Sequence, residues 1–237
     1  MIRVLLFDAF RTILDSRGTH IAVAERIVER HRLDVSPDAL HGKWDDFILE
    51  SWESGGFASQ WALFEESLSR TFEHFGVEGI DARGVIVYWR DLMSKIPLFP
   101  EAGEVLRRLA PRYRLALLSN TDNVELENCL RGKNLPFEAV FTSEDIRCYK
   151  PSKKAFDAAL ARLGCRRSET VVVGDSPFSD VLGARNAGLR VVWVNRTGAR
   201  LAVGYPEPDA EIPDLLALPE TLEKMDPQRT GRGSPRG

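Results

Sequence analysis

Val4-Leu5-Leu6-Phe7-Asp8-Ala9-Phe10-Arg11-Thr12 is a short apolar run that ends on one carboxylate and passes at once into a polar turn. Uninterrupted Val, Leu and Phe suit a strand buried on both faces, as in a parallel sheet covered by helices. Ligands of such sheets sit beyond the carboxyl ends of the strands, where Asp8 would emerge. Taken alone, Asp8 reads equally well as a cap for the turn that follows, a frequent job of aspartate. The rest of the chain decides between the two.

From about Ser16 to Ile96 the pattern turns helical. Ala24, Ile27 and Val28 share one face, ringed by Glu25, Arg26, Glu29, Arg30 and Arg32. Ser36-Pro37 reads as an N-cap with proline at the first helical position, and Leu40, Trp44, Phe47, Ile48 and Ser51 follow at helical spacing. Gly55-Gly56 stops this helix. Ser59 opens another, with Trp61, Phe64, Leu68, Phe72 and Phe75 as its stripe and Gly76 as its C-terminal cap. Asp81 opens a fourth, carrying Val85, Trp89, Leu92 and Met93. The aromatics are read as packing rather than as a pocket. His20, His31, His41 and His74 have no metal-binding spacing such as HExxH and are read as surface residues.

After Pro97–Pro100 strands and helices alternate. Leu115–Leu118, Ala139–Thr142, Val171–Val173 and Val191–Val194 read as strands. Helices are expected over Glu101–Ala110, Val124–Leu130, from Ser152 through Leu163, and from the Asp175 region to about Ala187. Repeated alternation means a parallel sheet covered on both faces. Asp209–Met225 should add one short strand and a turn of helix. Residues 226–237, rich in Gly, Pro and Arg, should form a disordered tail.

Composition narrows the class. Apolar residues make up 43%, enough for a full core, and the net charge of −3 gives no basic excess for nucleic acid or an acidic membrane surface. Cys129, Cys148 and Cys165 are odd in number and widely spaced, which suits reduced thiols rather than disulfides or zinc. Cys148 is read as packing despite its neighbour Lys150. No segment has the length of a bilayer span, and the N-terminus does not read as a signal peptide. The expectation is a cytoplasmic protein, monomer or homodimer, acting on a small anionic substrate.

Three further places carry polar groups where strands end or helices begin: Ser119, Lys150, and Asp175 with Asp180. With Asp8 these should converge on one rim of the sheet. Phe7-Asp8-Ala9-Phe10-Arg11-Thr12, Leu118-Ser119-Asn120, Lys150-Pro151 and Gly174-Asp175-Ser176-Pro177-Phe178-Ser179-Asp180, in this order, resemble the four motifs of the haloacid dehalogenase superfamily. The resemblance runs from Ile2 to about Asn195. It implies a doubly wound, Rossmann-like α/β core over residues 1–15 and 97–225, with an all-helical cap inserted over 16–96, as in the dehalogenase-like branch.

The chemistry is intelligible on its own terms. An ionised aspartate can attack carbon or phosphorus and form a covalent ester or acyl phosphate. Lys150 supplies a compact positive charge for that carboxylate and for an anionic substrate. Ser119 can donate to a substrate oxygen, and the helix after Ser119-Asn120 offers backbone N–H groups to an anion. Asp8, Lys150 and Ser119 are therefore the candidate catalytic residues, with Ser119, Asn120, Phe10 and Arg11 as candidate substrate contacts.

Two features pull the resemblance in different directions. The superfamily's phosphatases carry an acid two residues after the nucleophile to protonate the leaving group. Here that place is Phe10, as in the 2-haloacid dehalogenases, whose halide leaves without a proton. Asp175, by contrast, matches the phosphatases, which bind Mg²⁺ there together with the nucleophile and the backbone carbonyl at the place of Phe10, with Asp180 in the outer shell. An unneutralised carboxylate beside Asp8 would raise its pKa and repel an anionic substrate, and a hard divalent cation removes that conflict. In the insert, Lys43-Trp44-Asp45-Asp46 offers Asp45 where a dehalogenase would place an Arg, with Lys43, Arg17 or Lys95 as substitutes. Arg11 stands at a place usually held by glycine, either exposed or as an extra cation. The leading expectation is an Mg²⁺-dependent phosphohydrolase acting on good leaving groups. The alternatives are a metal-independent 2-haloacid dehalogenase, a phosphonatase-like C–P hydrolase and a non-catalytic scaffold.

Overall fold

The structure, a computed structural model, describes residues 1–54 and 56–226. Strand β1 (Val4–Phe7) leads into four helices, α1 (Thr19–His31), α2 (Pro37–Glu53), α3 (Gln60–His74) and α4 (Ala82–Met93). Then follow α5 (Ala102–Leu109), β2 (Arg114–Ser119), α6 (Asn123–Leu130), β3 (Ala139–Thr142), α7 (Ser143–Ile146), α8 (Lys153–Leu163) and β4 (Thr170–Gly174). A π-helical turn (Pro177–Leu182) runs into α9 (Gly183–Asn186), and β5 (Arg190–Val194), β6 (Ala210–Ile212) and α10 (Leu218–Met225) complete the order.

The strands form one parallel sheet in the order β3-β2-β1-β4-β5-β6. β1 is central: Phe7 lies opposite Leu117 on one side and Val173 on the other. Asp8, one residue on, therefore leaves the sheet level with the ends of β2 and β4. Alternate strand residues point to opposite faces. Leu5, Phe7, Leu115, Leu117, Val171 and Val173 pack with α5, α6 and α10. Val4, Leu6, Ala116, Leu118, Val172 and Val191 pack with α8 and α9. Both faces are covered, which is why the strands read as unbroken apolar runs. Gly183 opens α9 because a Cβ there would come within 2.6 Å of the Phe156 ring of α8.

The helical insert packs as the stripes require. Trp44, Phe64, Leu68, Ile86 and Trp89 are buried, and the Phe64 ring meets the edges of Trp44 and Trp89 at 5.9 and 5.0 Å. Trp44 Nε1 donates to the buried Ser67 hydroxyl at 3.0 Å, so its polar atom is satisfied. Ser36 and Ser59 cap α2 and α3 by accepting from Ala39 N–H and Ala62 N–H. The three cysteines are free thiols, and burial pushes Cys129 up to about 11. Among the described residues, no helix is long and apolar enough to cross a membrane.

Three expectations need correction. The segment after Asp175 starts as a π turn, with the N–H groups of Asp180 and Val181 both bonded to Ser176 O. Asp226, the first residue of the expected tail, is buried, and its carboxylate accepts from Ile2 N–H. The rest of that tail, 227–237, lies outside the described residues. His20 and His41 are not free surface residues: both are partly buried and reach Asp45, whereas His31 and His74 are exposed.

Candidate active site

Asp8, Lys150, Asp175 and Asp180 meet at the carboxyl edge of the sheet. Asp8 N–H donates to Val173 O at 2.8 Å, fixing the carboxylate just past β1. Lys150, delivered from the loop before α8, is buried and bridges two acids. Its Nζ lies 2.8 Å from Asp8 Oδ1 and 2.7 Å from Asp180 Oδ1. Asn120, at the end of β2, clamps that lysine: its side chain donates to Lys150 O and accepts from Lys150 N–H, each at 2.8 Å. Asp180 Oδ2 accepts from Ser176 N–H at 3.0 Å, so both of its oxygens are engaged within the protein. Gly174 makes this approach feasible, since a Cβ there would lie 2.3 Å from Asp180 Cγ.

Asp175 stands beside Asp8 on the open side. Thr12 Oγ1 lies 3.1 Å from Asp8 Oδ2 and 3.5 Å from Asp175 Oδ1, linking the two carboxylates. Trp193 Nε1 donates to Asp175 O at 2.7 Å and holds its backbone. Arg11 adopts φ +61°, the left-handed conformation that glycine enters freely, and its Nε lies 3.1 Å from Asp175 Oδ2. Its side chain is 60% exposed while its Nε reaches Asp175. Phe10 packs half-buried against the apolar core and brings no titratable group. The half-buried Arg196 donates to the carbonyls of Arg11 and Thr12 at 3.2 and 2.8 Å and pairs with Glu101, which pins the turn after Asp8.

The charges are out of balance. Burial is the main reason that Asp8 is pushed up to about 6, with Lys150 opposing and Asp180 adding to the rise. Burial also pushes Asp175 up to about 8, reinforced by Asp8 and only partly offset by Arg11. Burial works against the Lys150 ammonium as well, but Asp180 and Asp8 outweigh it and hold its proton more tightly than usual. Asp8, Asp175 and Asp180 each place a carboxylate oxygen within 4.8 Å of the others. An all-oxygen donor set short of positive charge fits a hard divalent cation such as Mg²⁺.

The Ser119 hydroxyl is buried with no hydrogen-bond partner among the described residues. A buried polar atom left this way is open to a hydrogen bond with a water or a ligand oxygen. The Asn120 side chain is committed to the Lys150 backbone. Asn123 N–H, at the head of α6, is already taken by the Glu144 carboxylate at 2.7 Å. The substitute cations in and around the insert are paired elsewhere: Lys43 with Asp46, Arg17 with Asp15 and Lys95 with Asp91.

Sequence reasoning assigns no role to Thr12, Trp193 or Asp122. Thr12 lies in the quoted turn, four residues beyond Asp8, and that spacing is the available signal. Trp193 and Asp122 act through partners far away in the chain. Asp122, buried at the end of β2, accepts from Gln60 N–H at 2.8 Å and Trp61 N–H at 3.1 Å, the first turn of α3. Gln60 in return donates to Asn120 O and accepts from Thr121 Oγ1. The insert is thus fastened beside the second motif.

The family model of haloacid dehalogenase-like hydrolases matches residues 2–188. The chain is 28% identical to (S)-2-haloacid dehalogenase 1 of Pseudomonas sp. (strain CBS-3), over 94% of this chain and 98% of that protein. It is 38% identical to the phosphoserine phosphatase of Thermus thermophilus, over 76% of this chain and 73% of the relative. Among solved structures, the L-2-haloacid dehalogenase of Xanthobacter autotrophicus superposes with a TM-score of 0.77 at 24% identity, covering 95% of this chain and all of that one (100%). Relatives named as dehalogenases and relatives named as phosphatases both match the chain. The protein belongs to the haloacid dehalogenase-like hydrolases, in their 2-haloacid dehalogenase-like branch.

Proposed function

We propose that the protein is an Mg²⁺-dependent phosphohydrolase that uses Asp8 as nucleophile on a small anionic phosphate with a good leaving group. The observation that carries this reading is Asp175 beside Asp8, both pushed up in pKa and linked through Thr12. A site that took an anion without metal would gain nothing from a second carboxylate there. Asp8, Asp175 and the Phe10 carbonyl would hold the cation, with Asp180 acting through Lys150 rather than as a direct ligand. When bound, Mg²⁺ neutralises the carboxylates and stabilises the charge of the phosphoryl oxygens. Arg11 is the cation now paired with Asp175. The Arg11 side chain is mostly exposed, so it can swing into water and leave the Asp175 carboxylate to the cation.

The residues divide the work as follows. Lys150 keeps Asp8 ionised and attracts the phosphate. The unpartnered Ser119 hydroxyl and the Asn120 N–H receive its oxygens. A carboxylate oxygen of Asp8 attacks phosphorus, the P–O bond to the leaving group breaks, and an acyl phosphate forms on Asp8. Water then cleaves the acyl phosphate, releasing phosphate and restoring the carboxylate. Phe10 has no proton to give, so the leaving oxygen departs as an anion or takes its proton from water. General acid help is worth ~10²–10⁴-fold, and simple alkyl phosphates should be slow by that factor.

The deciding experiment is a panel of aryl phosphates, acyl phosphates, alkyl phosphates and 2-haloacids, each with Mg²⁺ and with EDTA. Phosphate release that needs Mg²⁺, is fastest with aryl and acyl phosphates and is lost in Asp175→Ala supports the reading. Chloride release from 2-chloropropionate that persists in EDTA replaces it with the dehalogenase reading, which Phe10 and the (S)-2-haloacid dehalogenase relative favour.

A further inference from the structure

His20, His41 and Asp45 form a second cluster, in the insert and outside the Asp8 site. His20, in the first turn of α1, brings Nδ1 to 3.4 Å from Asp45 Oδ1. His41 and Asp45 lie four residues apart on one face of α2, with His41 Nε2 3.3 Å from Asp45 Oδ2. One donor atom from each residue lies within 4.8 Å of the others. The His20 ring is set by apolar packing: it stacks on Trp44 at 5.1 Å and meets Phe64 and Trp89 edge-on at 5.8 and 5.6 Å. The side chains of His20, His41 and Asp45 remain 27, 29 and 46% exposed, leaving a way in for a hydrated ion.

We propose that His20, His41 and Asp45 are the ligands of a zinc-type divalent metal site with a fourth position open to water. Metal–ligand bonds of about 2.0–2.1 Å at tetrahedral angles place ligand atoms about 3.3 Å apart. His20 Nδ1 lies at about this spacing from Asp45 Oδ1 and His41 Nε2 from Asp45 Oδ2, so the carboxylate faces one imidazole with each oxygen. Two imidazoles and a carboxylate suit zinc and its first-row neighbours rather than Mg²⁺, whereas the Asp8 cluster offers oxygen alone. The protein therefore has places for two different cations. Arg11, which pairs with Asp175, also lies close enough for its charge to act on His41 and Asp45.

Titration of the full-length protein with Co²⁺ in excess Mg²⁺ tests the site. We expect one Co²⁺ per chain, with the intense visible absorption of four-coordinate cobalt, displaced by Zn²⁺. His20→Ala and Asp45→Asn should each weaken binding by more than the ~10–100-fold that loss of an outer-shell partner costs, and Asp175→Asn should leave it unchanged. Imidazole nitrogen NMR of the wild-type protein needs no variant: Zn²⁺ should shift the Nδ1 signal of His20 and the Nε2 signal of His41. Unmoved imidazole signals, or cobalt binding that survives His20→Ala and disappears in Asp175→Asn, would overturn the proposal. The cluster would then be a hydrogen-bonded bridge between α1 and α2. Neither outcome bears on Asp8 as nucleophile.

Discussion

Phe10 takes the place from which a proton donor would serve the leaving group, and its half-buried ring makes no polar contact that an aspartate would disrupt. Phe10→Asp should therefore raise turnover on alkyl phosphates by ~10²–10⁴-fold while changing aryl phosphates far less, because only the former need the proton. Initial rates on a matched alkyl and aryl pair check this, and equal gains on both would show that the acid is not what limits turnover. Gly174 sets a different constraint. A methyl group there would displace Asp180, strip Lys150 of one of its two acids and leave a buried charge half-paired. Breaking such a pair costs ~3–5 kcal/mol, so Gly174→Ala should lower the urea midpoint accordingly and reduce activity with it. At this scale the sequence was informative where a residue's chemistry acts alone. Asp8, Lys150, Asp175 and Asp180 could be picked out by type and place. Thr12 and Asn120 could not be given their roles, since a hydroxyl linking two carboxylates and an amide clamping a lysine backbone depend on atoms brought together only by folding.

The elements themselves were legible because their signals are local. Unbroken apolar runs mark β1, β2, β4 and β5, and Ser36 and Ser59 mark the starts of α2 and α3. The one-turn helix α7 was not legible, since Ser143–Ile146 is too short to show a helical period. Nor was the fastening of α3. Asp122 and Gln60 lie 62 residues apart, yet the two Asp122 oxygens take the N–H groups of Gln60 and Trp61 that no residue of the helix itself can satisfy. A carboxylate at a helix start gains from both the hydrogen bonds and the helix dipole. Asp122→Ala should destabilise the protein by about 2–3 kcal/mol, the sum expected for a lost cap with charge-assisted bonds. Asp122→Asn, which keeps one acceptor oxygen, should cost less. Chemical denaturation of the two variants orders them, and an alanine variant as stable as wild type would mean that water replaces the carboxylate at no cost.

Across the whole molecule, the Asp8 cluster ties stability to pH and to metal. Asp8 and Asp175 have ordinary values near 3.8 when unfolded and are pushed up to about 6 and about 8 in the folded chain. Between those limits the folded state binds more protons than the unfolded state. The contribution of these two groups to the stability of the metal-free protein therefore falls as pH rises from about 4 through 6 to 8. Lys150, held protonated above its ordinary value, contributes at neutral pH and loses its effect only in strong alkali, so it does not alter this window. Mg²⁺ would reverse the trend. Binding needs ionised carboxylates, so below pH 8 it displaces a proton from Asp175, and affinity should rise by up to about tenfold per pH unit for each proton released. A ligand present at 100 times its Kd stabilises by about 2.7 kcal/mol, so the rise in Tm at fixed Mg²⁺ should grow between pH 6 and pH 8. Thermal melts with Mg²⁺ and with EDTA at these two pH values measure it, and Asp175→Asn should abolish the difference. A Tm shift that is the same at both pH values would place the cation away from Asp175, and the phosphohydrolase reading would lose its main support.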